Sequence, residues 1–274
     1  MTSLNLVTLP IGNIRDITIR CLDALKNGEY FFAEDTRVFK KLLQSLEIDF
    51  SNKKIYSFHE HSSSTVIEDI INLINSGCEI YLVSDAGSPL ISDPAYPLIK
   101  KLTDLNINIK TLPGVTSVIA ALELSGLPPI PFHFWGFLAR GGNEKLEFFK
   151  SISQINGTHI FFEAPHRIIE SVETIFEMNN ELEIVLVKEL TKTFETVYRL
   201  NSKNKNEVMG QIIDKGEFVI LFHVTQNKKN RISNEDLLNL VSEYINGERS
   251  PKKLAKIFSR INGEETKAIY QKLI

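Results

Sequence analysis

Five short apolar runs, at residues 4–8, 30–33, 54–58, 80–83 and 107–112, each break off at a polar turn and give way to a helix-periodic stretch. Strands that alternate with helices in this way assemble into a mostly parallel sheet whose central strands are covered on both faces. The stretch 80–94, IYLVSDAGSPLISDP, states the pattern most clearly. Ile80 to Val83 favour a strand, and Ser-Asp-Ala-Gly-Ser-Pro ends it. A second Ser-Asp-Pro at 92–94 reads as the cap of a helix running to Leu105, with Pro94 in its first turn. Ligands of open α/β sheets gather beyond the carboxyl ends of the strands, so Asp85, Ala86, Gly87 and Ser88 are expected where a cofactor meets backbone amides. An ordinary strand-to-helix turn uses the same residue types.

The other strand ends carry their own polar groups. Leu9-Pro10-Ile11-Gly12-Asn13 follows the first strand, with Arg15, Asp16 and Arg20 beyond it. The Gly-bearing loop is a place for a phosphate or nucleoside, although it lacks the GxGxxG spacing of a dinucleotide site. Glu34-Asp35-Thr36-Arg37 after the second strand offers two carboxylates beside an arginine, suited either to proton transfer or simply to the start of a helix. His59-Glu60-His61 ends the third strand; with no third cluster of ligands elsewhere, no metal site is expected. Pro113-Gly114-Val115-Thr116-Ser117 marks a boundary, giving an expected first domain of 1–112.

A second domain is expected over 113–225. It comprises a helix at 118–124, an aromatic strand at 132–138 containing Trp135, and an exposed loop at 140–143 before a helix reaching residue 155. A strand at 158–162 then runs into Glu163-Ala164-Pro165-His166-Arg167 and a helix to Glu177. A strand at 184–188 runs into Glu189-Leu190-Thr191-Lys192, followed by a hairpin arm at 195–200, a helix at 206–214 and a last strand at 217–224. Residues 226–274 form a separate tail of three short helices, near 234–244, 251–260 and 264–273. Polar strand ends in both halves point to two α/β domains around a shared cleft.

Composition narrows the class. With 274 residues, 43% of them hydrophobic, the chain can bury two cores. No apolar run has the length of a membrane span and the N-terminus is unlike a signal peptide, so a soluble cytoplasmic protein is expected. Cys21 and Cys78 sit in no motif and read as free thiols. The net charge of −3 is uneven: the tail from 226 holds ten Lys and Arg against six Asp and Glu, and the rest holds 21 against 28. That basic end, with Lys252, Lys253 and Lys256, suits an anionic partner, though a solvated helix surface gives the same count.

Read together, LPIGNIRDIT, AEDTR, SFHEHSS, VSDAGSPLISDP, LPGVTSVIAAL, SGLP, GFL, FEAPHRI and KELTK make a chain that resembles, over nearly its whole length, the ribosomal RNA small subunit methyltransferase I family, a branch of the tetrapyrrole methylase superfamily. The resemblance implies an α/β fold of two domains, each a mixed or mostly parallel sheet with flanking helices, plus a small helical appendage. It also implies a homodimer with S-adenosyl-L-methionine in the cleft, methylating the ribose 2′-hydroxyl of a cytidine in the decoding region of 16S rRNA. Two departures are visible: Ser88 stands where the family more often has threonine, and Ala164 where serine is frequent.

The chemistry of such a transfer assigns candidates. A sulfonium, an amino-acid end and an adenosine need amide donors, carbonyls or a carboxylate, and an apolar slot; Leu9, Pro10, Gly12, Asp85, Ala86, Gly87, Ser88, Thr116, Ser117, Phe162 and Glu217 supply such groups. A sugar hydroxyl needs a base, or a cation to steady the developing alkoxide, and Glu34, Asp35, His59, His61, Glu163, His166, Lys188 and Glu189 are all candidates. Arg15, Arg20, Arg37, Arg167 and Lys192, with the three tail lysines, are the expected phosphate contacts. Two other readings remain open at this point: the same cofactor serving a tetrapyrrole or protein acceptor, and a non-catalytic nucleoside- or RNA-binding module.

Overall fold

Side-chain caps fix where the first helices begin. In this computed structural model, which describes residues 2–59, 64–91, 95–225, 242, 244, 245, 250–262 and 265–274, strand β1 (Leu4–Val7) leads through a 3-10 turn (Ile14–Asp16) into α1 (Ile19–Asn27). Thr18 caps α1 by accepting the Cys21 amide. Strand β2 (Tyr30–Ala33) runs into α2 (Thr36–Ser45), capped by Asp35 through the Arg37 amide. β3 (Lys54–Ser57), α3 (Ser64–Asn75), β4 (Ile80–Val83), α4 (Tyr96–Asp104) and β5 (Ile109–Leu112) complete the first half. The α4 helix starts later than expected, with Ala95 at its cap and Pro97 in its first turn. Residues 92–94, expected to cap it, lie outside the described residues.

The five strands form one parallel sheet in the order β3-β2-β4-β1-β5. The central strands are buried on both faces because their side chains alternate between two helical layers. Leu4, Phe32, Ile80 and Leu82 pack on Ile70 and Ile74 of α3 and on Leu98 and Leu102 of α4. Val7, Phe31, Ala33 and Val83 pack on Cys21 and Leu25 of α1 and on Phe39 and Leu43 of α2. Edge strands β3 and β5 are mostly exposed or half-buried. Their sequences are correspondingly more polar, and β5 is two residues shorter than expected.

The second half continues with α5 (Ser117–Ser125), β6 (Phe132–Phe137), α6 (Gly142–Ile152), β7 (Gly157–Glu163), a 3-10 turn (Pro165–Arg167) and α7 (Ile168–Met178). It ends with β8 (Ile184–Lys188), β9 (Thr196–Leu200), α8 (Lys205–Met209) and β10 (Phe218–Val224). The sheet order is β6-β7-β10-β8-β9. β6 and β7 are parallel, whereas β10 runs antiparallel to both β7 and β8, and β8 to β9. This sheet is therefore the mixed one. The loop expected at 140–143 is shorter, because Gly142 and Asn143 open α6, where Glu144 suits the positive helix end.

Helix α5 changes sheets. It follows β5 of the first sheet, yet Val118, Ala121 and Leu122 pack on Ile160, Val185, Val187, Val219 and Leu221 of the second. The opposite face of that sheet carries α6 and α7, where Phe149, Ile152, Val172 and Ile175 meet Phe161, Ile184, Ile220 and Phe222. Each fully buried side chain of this size contributes about 1.5–3 kcal/mol.

The chain separates into two compact units, Met1–Val224 and Thr225–Ile274. In the second, α9 (Pro251–Asn262) contacts α10 (Thr266–Leu273), and Ala255 and Ile269 are buried. The helix expected at 234–244 falls largely outside the described residues. Cys21 and Cys78 are free thiols. Among the described residues no helix is long and apolar enough to cross a membrane.

Candidate functional site

The register of the first sheet sets three loops side by side. Val7 of β1 pairs with Val83 of β4 on one side and with Leu112 of β5 on the other. The turns that leave these strands consequently share one edge. Leu9 and Gly87 exchange backbone hydrogen bonds, at 2.9 and 3.1 Å. A positive φ of 70° at Gly87 makes that approach possible, and a Cβ there would meet only Ile11, at 3.5 Å. On the other side Gly114 lies against Thr8, where a Cβ would come within 3.0 Å of the threonine methyl. Ser84 folds its hydroxyl back onto the Ala86 carbonyl at 3.1 Å, holding the turn. The segments 85–88 and 113–117 thus flank one dipeptide, Thr8-Leu9. Thr116 makes no side-chain cap at the start of α5, which leaves the first-turn donors of Ser117 and its neighbours without that partner.

Three carboxylates meet at the ends of β2 and β4. The Asp35 amide donates to Asp85 Oδ1 at 3.1 Å, and the Asp85 amide lies 3.4 Å from Glu34 Oε2. Asp35 also takes a two-pronged contact from Arg37, at 3.1 and 2.6 Å, which holds its carboxyl far below the usual carboxylate range. The same pairing raises Arg37, whose side chain remains 89% exposed. Asp85 goes the other way. Although the residue is exposed, partial desolvation by its neighbours pushes it above its ordinary value, and the Glu34 and Asp35 charges add to this against the opposing Asp35 amide. Glu34 and Ser84 line a hollow with Phe58, Leu82, Val83, Pro89 and Ala95. His59 lies exposed just beyond β3, and His61 lies outside the described residues.

The second sheet gathers its polar groups at one end too. Phe218, at the start of β10, pairs with Glu163 of β7 and with Lys188 of β8. Lys188 is buried, its ammonium 5.9 Å from the centre of the Phe218 ring. Lys192 lies 3.0 Å from Glu189 and 3.1 Å from Glu217. Burial alone would raise Glu189, but the Glu217 amide and the Lys192 ammonium outweigh it and hold the carboxyl below its usual range. Glu163 is fully buried, paired with Arg167 and accepting the Ser171 hydroxyl at 2.5 Å. His166 is exposed, while Phe162 is half-buried edge-on to Phe134 and Phe137.

The two sheets touch through the loop after β1. Gly12 lies against the turn after β8, where a Cβ would come within 2.6 Å of Lys192 Cγ and 2.8 Å of the Leu190 carbonyl. The next amide, of Asn13, donates to Thr191 Oγ1 at 3.0 Å.

Comparison with known proteins places this arrangement. The family described as Tetrapyrrole (Corrin/Porphyrin) Methylases matches residues 3–205. Ribosomal RNA small subunit methyltransferase I of Streptococcus pyogenes serotype M3 (strain ATCC BAA-595 / MGAS315) is 35% identical over 271 residues, spanning 98% of this chain and 93% of the relative. The chain belongs to the tetrapyrrole methylase family, among the ribosomal RNA small subunit methyltransferase I proteins. The fold recurs in diphthine synthase, with a TM-score of 0.60 at 15% identity, covering 82% of this chain and 92% of that one. It recurs also in a uroporphyrin-III C-methyl transferase from Thermus thermophilus complexed with S-adenyl homocysteine, with a TM-score of 0.53 at 15% identity, covering 80% and 96%.

In this tetrapyrrole methylase the expected cationic residues fall into two environments. Arg15 and Arg20 are exposed beside the Gly12 loop, and Lys252, Lys253 and Lys256 are exposed on α9. Arg167 and Lys192 are instead held in ion pairs, Arg167 with 14% of its side chain exposed. Two features escaped the sequence reading. One is Lys145, fully buried, 3.0 Å from both Glu170 and Ser171. Its spacing from Phe149 and Ile152 puts it on the apolar stripe of α6, a visible signal. The other is the role of Thr191, whose partner is 178 residues away.

Proposed function

We propose that this chain is an S-adenosyl-L-methionine-dependent methyltransferase that modifies the ribose 2′-hydroxyl of a cytidine in the decoding region of 16S rRNA, acting as a cytoplasmic homodimer on the small ribosomal subunit. The observation that carries the reading is the convergence of the 85–88 and 113–117 turns on Thr8-Leu9, with the turn after β8 closing on Gly12. In functional terms, segments 1–112 and 113–225 supply the two walls of the cleft, and the basic tail from 226 supplies RNA contacts.

The residues present fit the cofactor. At Gly87 a Cβ would meet only the Ile11 side chain, at 3.5 Å, and Gly12 brings the loop after β1 against the turn after β8. The first turn of α5, at Thr116 and Ser117, suits a carboxylate. Phe162 supplies apolar surface and Glu217 a carboxylate from the second sheet. When bound, S-adenosyl-L-methionine supplies an electrophilic methyl group on a sulfonium sulfur. The chain's task is to hold the ribose oxygen in line with that carbon and to take up the hydroxyl proton.

The candidate bases separate on their partners. Asp35 and Glu189 each face a cation and sit below their ordinary range, which makes them weak proton acceptors, while Glu163 is fully buried and engaged by Arg167 and the Ser171 hydroxyl. Asp85, exposed but raised by partial desolvation and the neighbouring carboxylates, is the better-matched carboxylate, and Glu34, which lines the hollow, lies next to it. Arg15, Arg20, Arg37 and the α9 lysines are the phosphate contacts in this reading; Arg167 and Lys192 act as supports. Incubation with methyl-labelled S-adenosyl-L-methionine and undermethylated small subunits tests it. Label in 16S rRNA is expected, and label confined to protein contradicts it.

A further inference from the structure

Two residues in the turn after β8 hold a backbone conformation that side chains rarely adopt, Glu189 at φ 52° and Thr191 at φ 62°. For β-branched Thr191 this is a true outlier, and it persists only where the surroundings enforce it. The enforcing contacts are visible. The Glu189 amide donates to the Glu217 carbonyl at 2.9 Å, and the Glu217 amide donates back to Glu189 Oε1 at 2.9 Å. Lys192 lies between the two carboxylates. Gly216, at φ 89°, leaves room that a Cβ would take from the Glu189 carboxyl, 2.6 Å away. The Thr191 amide donates to Glu195 Oε2 at 2.6 Å.

A turn built for stability alone would carry glycine at both strained positions, since glycine adopts positive φ without a steric penalty. One exposed hydrogen bond to Asn13 stabilises less than two such residues cost. The strain does gain a geometry: it aims the Thr191 hydroxyl across to the first sheet. Asn13 follows Gly12 in the loop that Leu9 ties to Gly87, beside Asp85.

We propose that Thr191 is a positioning residue for methyl transfer. It accepts the Asn13 amide and so locks the loop after β1, and with it the 85–88 turn, against the second sheet; the Glu189-Lys192-Glu217 triad holds the turn in its strained form. This rests on the methyl-transfer reading above.

The test uses Thr191→Val, which keeps shape and β-branching but removes the acceptor, and Thr191→Ser, which keeps the hydroxyl. Thr191→Val is expected to lower kcat about tenfold. KM for the small subunit, Kd for S-adenosyl-L-methionine and Tm should stay close to wild type, and Thr191→Ser should restore most of the rate. Amide exchange gives a readout independent of activity: Asn13 exchanges faster in Thr191→Val than in wild type or Thr191→Ser. Unchanged Asn13 exchange, or a serine variant as slow as the valine one, overturns the proposal. So does a parallel loss of binding, Tm and turnover, which marks the contact as structural. Wild-type protein that methylates no RNA instead removes the functional reading, whatever the exchange result.

Discussion

Asp35 donates its backbone amide to the Asp85 carboxylate at 3.1 Å, tying together the first turns beyond two neighbouring parallel strands. The bond helps the charged form of Asp85, yet partial desolvation and the adjacent Glu34 and Asp35 charges leave the group above its ordinary value of 3.8. A carboxyl raised on folding favours the fold while protonated, and that contribution fades as pH rises through the folded pKa. Asp85→Asn should therefore raise Tm relative to wild type at pH 7, with the difference shrinking as pH falls through the raised folded pKa and gone below about 3.8, as thermal melts across pH will show. If Asp85 takes up the hydroxyl proton, the same variant loses roughly a hundredfold or more in methyl transfer.

Gly12 has no room for a side chain, because the obstruction includes the Leu190 carbonyl at 2.8 Å as well as Lys192 and the Thr191 hydroxyl. Gly12→Ala is expected to destabilise by about 1–3 kcal/mol in urea unfolding. It should also weaken S-adenosyl-L-methionine binding in calorimetry, since relief requires the two sheets' loops to separate.

The buried groups beneath α6 and α7 differ in what each deletion strands. Glu163 is fully buried against Arg167, whose Nε has no hydrogen-bond partner among the described residues. Glu163→Ala leaves a mostly buried cation and should cost about 3–5 kcal/mol in chemical denaturation. Lys145→Met leaves Glu170, whose side chain is 55% exposed and can be solvated. Its cost should be smaller, within about 2 kcal/mol. The reverse order would contradict this account of the network.

The exposed lysines of α9 make a prediction about salt. Replacing Lys252, Lys253 and Lys256 with alanine should weaken binding to the small subunit while leaving S-adenosyl-L-methionine affinity unchanged. The slope of log affinity against log salt should flatten by about 0.7 per lost contact. Filter binding between low and moderate salt measures both quantities.

Local pattern accounts for what was legible before the fold was seen. The bounds of β2, β4 and β8 follow directly from their apolar runs, because a strand buried on both faces must be apolar from end to end. Pairing across the chain was not legible in the same way. That β10 inserts between β7 and β8, making the second sheet mixed, depends on contacts distant in sequence. The candidate site divides similarly. The Asp85 to Ser88 turn is marked by its residue types, and its neighbours follow from the parallel register of β1, β4 and β5. The ion pairs of Glu163 with Arg167 and of Lys192 with Glu217 were invisible to pattern, and they engage two of the expected phosphate contacts within the fold. Lys145 was readable on the stripe of α6, since a cation there must find an acceptor when buried.

The chemical position of the transferred methyl tests the central claim most directly. Small subunits labelled by this protein from methyl-tritiated S-adenosyl-L-methionine are to be stripped of protein and their RNA hydrolysed in alkali. A 2′-O-methyl blocks cleavage at the adjacent phosphate, so the account predicts label in an alkali-stable dinucleotide containing cytidine. Label released as a mononucleotide, which places the methyl on a base, would contradict it.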